Sequence, residues 1–283
     1  MAAYHRPTKL ESALALLAGG GLSVAAGCTD LFPATQARSL PGGILDITAI
    51  TALRGISHGE NSWRIGAATT WSDVIRADLP PAFDGLKLAA AEVGSVQIQN
   101  AGTIAGNLCT ASPAGDGVPC LLTLDASVEL RSAGAARVLP LAEFLTGARQ
   151  TALRRDEMVT AILIPGHAAR GRSHFLKLGA RKYLIISIAM VAVRLETEAG
   201  RIASAAIAVG ACSAVATRLP ALEAALRGQP LAKCATIATD ELVLPHLSAI
   251  DDIRADQAYR NTAAVHLIRR ALATLAEPAE AAA

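Results

Sequence analysis

Apolar and polar positions along this chain fall into helix-like and strand-like spacings from the N-terminus onward. Lys9-Leu10-Glu11-Ser12-Ala13-Leu14 carries helical apolar spacing, which predicts a helix over residues 8–18, closed by the run Gly19-Gly20-Gly21. Short apolar runs at 22–26, 43–47 and 63–68 read as strands, the last preceded by the polar turn His58-Gly59-Glu60-Asn61. Thr70 carries an N-cap signature for a helix beginning at Trp71, and Pro80-Pro81 then interrupts the chain. Residues 86–93 read as an Ala-rich helix ending near Gly94. Beyond them, 120–124 and 127–131 read as buried and half-buried elements. Residues 157–165 form a β-rich run stopped by Pro165-Gly166.

A boundary is expected at 166–173, where the chain turns polar. After it, 185–195 and 202–209 read as strands joined by Glu196-Thr197-Glu198-Ala199-Gly200, a hairpin. Residues 219–226 and 262–275 read as helices, the latter with Val265, Ile268 and Leu272 on one face. Strands followed by helices predict a small α+β domain after the first. The Ala-rich tail beyond Pro278 is expected to fray.

One stretch breaks the pattern. Residues 93–115 carry no charge, yet glycines, hydroxyls and amides stand where a core element would place Leu, Val or Ile. Val24-Ala25-Ala26-Gly27-Cys28-Thr29-Asp30 has the same character. Such segments let backbone N–H groups approach a ligand closely. Two cradles in one chain point to an extended polyanion of the dinucleotide kind. Gly19-Gly20-Gly21 follows a helix and lacks the Rossmann spacing, so a single βα turn does not hold this ligand.

Composition narrows the picture. The 283 residues suit two domains at ~100–200 residues each. With 52% hydrophobic and 18% charged residues, the chain is globular rather than disordered. A net charge of +2 without a basic block gives no case for nucleic acid. Glycines and amides in the uncharged runs argue against a membrane span, and with no basic n-region followed by an apolar run at the start, export is not expected. Cys28, Cys109, Cys120, Cys212 and Cys234 are scattered, as are the six histidines, so neither a disulfide framework nor a metal site is expected. This usage fits a cytoplasmic protein.

The ordered motifs Ala26-Gly27-Cys28-Thr29-Asp30-Leu31, Thr103-Ile104-Ala105-Gly106-Asn107 and Ala111-Ser112-Pro113-Ala114-Gly115-Asp116 resemble those of the FAD-binding medium subunit of the molybdenum hydroxylases, the xanthine dehydrogenase and carbon monoxide dehydrogenase group. Tyr4-His5-Arg6-Pro7, Phe175-Leu176-Lys177-Leu178-Gly179-Ala180-Arg181 and Tyr259-Arg260 with its following helix extend the resemblance over the whole chain. It implies an α+β fold, with a PCMH-type FAD-binding domain of two subdomains over 1–168 and a smaller α+β C-terminal domain over 172–283. It implies that Ala26, Gly27, Cys28, Thr29 and Asp30 form a first loop on the FAD pyrophosphate, and Thr103, Ile104, Ala105, Gly106 and Asn107 a second. Asp116 would bond the ribityl or ribose hydroxyls, with Val159 and Lys177 near the flavin.

The sequence departs from the family where Cys28 replaces a second loop glycine and Ala105 the first of a Gly-Gly pair. Neither loop contains Lys or Arg, so N–H groups, hydroxyls and dipoles would hold the pyrophosphate. By default an aspartate at a loop end is a helix N-cap, a lysine is solvated, Trp63 and Trp71 are core or interface residues, and Cys109 is a small filler.

The implied function is electron transfer without catalytic residues of its own, the cofactor supplying the chemistry. Partners would be a large molybdopterin subunit and a small [2Fe–2S] subunit, with NAD or another carrier as acceptor. Two alternatives stand beside it: a self-contained FAD-dependent oxidase or reductase, and a flavin-free scaffold subunit.

Overall fold

The computed structural model describes residues 3–35, 42–182 and 184–277; the tail beyond Pro278 lies outside them. Two compact units divide the chain. The first comprises residues 1–77, 93–112 and 125–166, the second 78–92, 113–124 and 167–283.

The first unit holds two larger sheets. Gly43–Asp46 lies at the centre of a three-stranded sheet, parallel both to Tyr4–His5 and to Leu22–Ala25. Parallel neighbours need a crossover, and the helix Leu10–Ala18 supplies it between the two outer strands. Its buried Leu10, Ala13, Leu14 and Leu17 form one cluster with Leu45, Ile47, Ile50 and Leu53. The helical spacing expected from the sequence is therefore the packed face. The second sheet is five-stranded and antiparallel, in the order Ile56–His58, Ser62–Gly66, Met158–Pro165, Ser127–Arg131, Ala136–Pro140. Met158–Pro165 is its central strand and is buried over its first five residues, which is why that segment reads as a continuous apolar run.

The second unit is built on Arg172–Leu178, Ala189–Glu198, Arg201–Gly210 and Thr217–Arg218, antiparallel in that order. The hairpin turn is Ala199-Gly200, both residues having positive φ (47° and 72°). That conformation matches the right-handed twist of the flanking strands, and glycine adopts it without penalty. Ala189–Leu195 is buried on both faces, between the long helix Gln257–Ala276 and the helices Asp84–Glu92 and Gly117–Thr123. Asp256 caps the long helix, its carboxylate accepting the Tyr259 N–H at 2.7 Å.

Three local expectations change. Residues 166–173 are not only a linker, because a strand begins at Arg172. The strand expected from 185 begins at Ala189. The uncharged stretch expected to carry a binding loop is largely helical, with Val96–Ala101 capped by Ser95 and Ile104–Thr110 capped by Thr103. Its alanines and glycines hide the helical period, while the two hydroxyl caps start the helices.

Candidate functional site

The first loop leaves the end of Leu22–Ala25 and needs glycine at once. A Cβ on Gly27 would stand 2.0 Å from the Ala101 carbonyl oxygen and 2.8 Å from the Gly102 Cα. Glycine therefore lets this loop lie against the backbone that leads into the second segment. Cys28 is left-handed, with φ +57°, a region costly for a side chain and natural to glycine. Its thiol donates to the Ala26 carbonyl at 3.6 Å. Two of the loop's carbonyls accept backbone N–H groups: Cys28 O from Phe32 at 3.5 Å and Asp30 O from Ala34 at 3.0 Å. Among the described residues, the N–H groups of Gly27, Cys28, Thr29 and Asp30 have no acceptor. Consecutive unengaged donors around a left-handed residue make a concavity suited to an anion.

The second segment uses its donors differently. The Ile104 N–H donates to Thr69 O at 3.0 Å, and the Ala105 N–H to Ala67 O at 3.4 Å. The Gly106 N–H donates to Thr103 Oγ1, and the Asn107 N–H to Thr103 O, both at 3.1 Å. Sequence reasoning expected amides of both segments to face a ligand, but the capped helix and its neighbours engage this set. The segment offers instead the side chain of Asn107, whose Oδ1 is buried without a partner among the described residues. A buried acceptor left unbonded is destabilising, so this atom marks a place where a ligand donor fits. The Thr110 hydroxyl donates to Asp30 Oδ2 at 3.4 Å, tying the two segments together.

Val159 is buried on the central strand opposite Leu130, beside a bulge that contains Thr160. The Thr160 carbonyl accepts the Ala67 N–H at 3.1 Å, and the Ala67 carbonyl in turn accepts from Ala105. Val159 thus sits one residue from a hydrogen-bonded chain that ends in the second segment. Trp71 is buried and donates its backbone N–H to Gly102 O at 3.1 Å, whereas Trp63 stacks on His58 with ring centroids 4.4 Å apart. Cys109 is exposed, and all five cysteines are free thiols.

Asp116 and Lys177 belong to the second unit, and they meet each other. Asp116 precedes the fully buried helix Gly117–Thr123 but makes no side-chain cap bond. Its Oδ2 accepts from Lys177 Nζ at 2.6 Å, and its Oδ1 accepts from the Ser187 hydroxyl at 2.6 Å. Lys177 Nζ also donates to the Glu92 carbonyl at 3.4 Å. The lysine and aspartate side chains are only 7% and 8% exposed, so the lysine is not solvated and the aspartate is not a plain cap. Burial pushes the Asp116 carboxyl up, while the Lys177 ammonium and the Ser187 hydroxyl pull the other way. Ser187 was missed by sequence reasoning. Its signal is a single hydroxyl inside Ile185-Ile186-Ser187-Ile188-Ala189, because a buried hydroxyl requires a partner.

The expected site residues therefore form two groups, the two loops with Val159 in one unit and Asp116 with Lys177 in the other. Unengaged donors, a close-approach glycine and an orphaned amide oxygen fit an extended ligand with an anionic centre and polar ends. Among the described residues no group of three or more His, Cys, Asp or Glu is placed to hold a metal ion. Among the same residues no helix is long and apolar enough to cross a membrane.

Comparison with known proteins carries the site to a family. Residues 1–167 match the profile described as the FAD binding domain in molybdopterin dehydrogenase, and 174–275 match the CO dehydrogenase flavoprotein C-terminal domain. The nicotinate dehydrogenase FAD-subunit of Eubacterium barkeri is 35% identical over 86% of this chain and 84% of its own length. The reconstituted CO dehydrogenase of Oligotropha carboxidovorans superposes with a TM-score of 0.90 at 28% identity, covering 98% of each chain. Quinoline 2-oxidoreductase of Pseudomonas putida 86 gives 0.87 at 25% identity, over 98% of this chain and 97% of that one. The chain belongs to the family of FAD-binding medium subunits of molybdenum hydroxylases, and it is an FAD-binding oxidoreductase subunit of α+β fold.

Proposed function

We propose that this chain is the electron-transfer subunit of a cytoplasmic complex with a large molybdopterin subunit and a small [2Fe–2S] subunit. FAD held on it would receive electrons from the clusters and pass them to NAD or another acceptor. In this reading residues 1–168 are the FAD-binding domain and 172–283 the C-terminal domain. Ala26, Gly27, Cys28, Thr29 and Asp30 hold the pyrophosphate through their N–H groups. Thr103, Ile104, Ala105, Gly106 and Asn107 would be the second segment on the pyrophosphate, with Asn107 Oδ1, unpartnered among the described residues, free to accept from the cofactor. Asp116 accepts from hydroxyls of the cofactor, and Val159 and Lys177 lie beside its ring.

The observation that carries the reading is the row of N–H donors from Gly27 to Asp30, without acceptors among the described residues. Neutral donors around a left-handed turn can hold a diphosphate without a cation. The chain's own residues bind and orient, and among the described residues no cluster-holding ligand group is present. The purified chain should therefore show flavin absorbance that dithionite bleaches. Heteroaromatic or aldehyde substrates should leave the band unchanged until both partner chains are added. Rapid anaerobic bleaching by such a substrate without partners would establish the self-contained oxidase instead, and absence of flavin the scaffold.

A further inference from the structure

The second unit carries an open cavity of about 450 Å³ whose lining includes Asp84, Lys87, Leu88, Arg172, His174 and Leu275. Three elements meet around it. The helix Asp84–Glu92 contributes Asp84 and Lys87, the strand Arg172–Leu178 contributes Arg172 and His174, and the helix Gln257–Ala276 closes the side with Leu275. The first helix and the strand are pinned by the Gly85 N–H donating to Ser173 Oγ at 2.8 Å, within the buried part of the wall.

The charge balance around the cavity is positive. Lys87 and Arg172 line it, and Arg270 acts on His174 from the long helix; Asp84 is the one carboxylate in this set. Arg172 uses a single donor, Nη1, toward the Glu277 carbonyl at 3.2 Å. Among the described residues the rest of its guanidinium makes no hydrogen bond. A guanidinium with its fork open beside a second cation matches the geometry of an oxyanion. Leu88 and Leu275 give the cavity an apolar wall, the usual companion of a few convergent polar groups in a small-molecule site.

We propose that this cavity binds a small oxyanion, a phosphate or carboxylate group on a short apolar body, with Arg172 and Lys87 as its cationic contacts. Neither loop nor the Asp116 cluster lines the cavity. His174 reports on occupancy. Burial together with Arg172 and Arg270 holds its imidazole below the ordinary range, with Asp84 opposing them. An anion among these groups relieves the repulsion and favours the protonated ring, so the titration midpoint of His174 moves up when the ligand binds.

The test uses the full chain, titrated separately with inorganic phosphate and with butyrate, following the His174 C2 proton by NMR and heat by calorimetry. His174→Gln identifies the proton signal. Saturable binding is expected with an upward shift of the His174 midpoint. Arg172→Ala should weaken binding by about tenfold or more, the scale of a charge-assisted hydrogen bond. Asp84→Asn should tighten it by about threefold, because it removes a nearby like charge without removing a contact. Tighter phosphate means that the cations read a doubly charged group, and tighter butyrate means that the leucine wall contributes. Either outcome supports the site. The proposal is overturned if neither probe saturates, or if binding is indifferent to Asp84→Asn in a folded variant.

Discussion

Lys177→Met isolates the buried charge that faces Asp116. Methionine keeps the aliphatic stem packed and removes the ammonium that stands 2.6 Å from Asp116. Asp116 would then keep the Ser187 hydroxyl as its side-chain partner while the residue stays 7% exposed. A buried carboxylate without its cation protonates rather than stay charged. The greatest penalty at pH 7 is the work of protonating a carboxyl whose unfolded pKa is about 3.9, which comes to about 4 kcal/mol at roughly 1.36 kcal/mol per pH unit.

The actual difference from the parent chain is smaller, because burial already pushes the parent's Asp116 carboxyl up. About 2–3 kcal/mol at pH 7 is expected. The sign follows from linkage. A carboxyl whose folded pKa is raised destabilises the native state as pH rises through the unfolded value, until the folded pKa is passed. Removing Lys177 raises that folded pKa further, so the deficit widens from about pH 4.5, where it is below about 1 kcal/mol, to about pH 7. The assay is urea unfolding of the apoprotein at both pH values, so that cofactor linkage does not enter. Asp116→Asn/Lys177→Met should recover most of the loss, since no charge is then stranded. An equal deficit at both pH values, or no recovery in the double variant, would show that packing and not charge holds this cluster.

Cys28→Gly should raise unfolding stability by about 1 kcal/mol and preserve flavin content, because it relieves a left-handed φ; a fall in the melting temperature would count against strain there. Gly106→Val should strip flavin and weaken the helix start by about 1 kcal/mol, since a Cβ would stand 2.8 Å from the capping Thr103 Oγ1. Normal flavin per folded chain would remove that segment from the site. Asp116→Asn should weaken FAD by about 1.5–3 kcal/mol if its carboxylate accepts from the cofactor; an unchanged dissociation constant in apoprotein titration would leave Asp116 a structural ion-pair residue.

The sequence alone determined the features whose causes are local. Apolar spacing placed the helix Leu10–Ala18 and the β-rich run that becomes the strand Met158–Pro165, and the N-cap signature at Thr70 marked the start of the helix Trp71–Arg76. The ordered small-residue motifs pointed to the family, and Gly27 stands where only a residue without a Cβ allows close backbone approach. Tertiary structure decided what depends on partners distant in the chain. Neighbours in sequence cannot reveal an acceptor that lies in a remote segment: the amides of Ile104 and Ala105 look available in sequence, yet they meet the carbonyls of Thr69 and Ala67. By residue type alone Asp116 reads as a cap and Lys177 as a solvated cation, and Ser187 draws no notice, until the fold brings the three segments together. Their roles follow from burial and mutual charge, and burial is a property of the packed chain rather than of any residue in it.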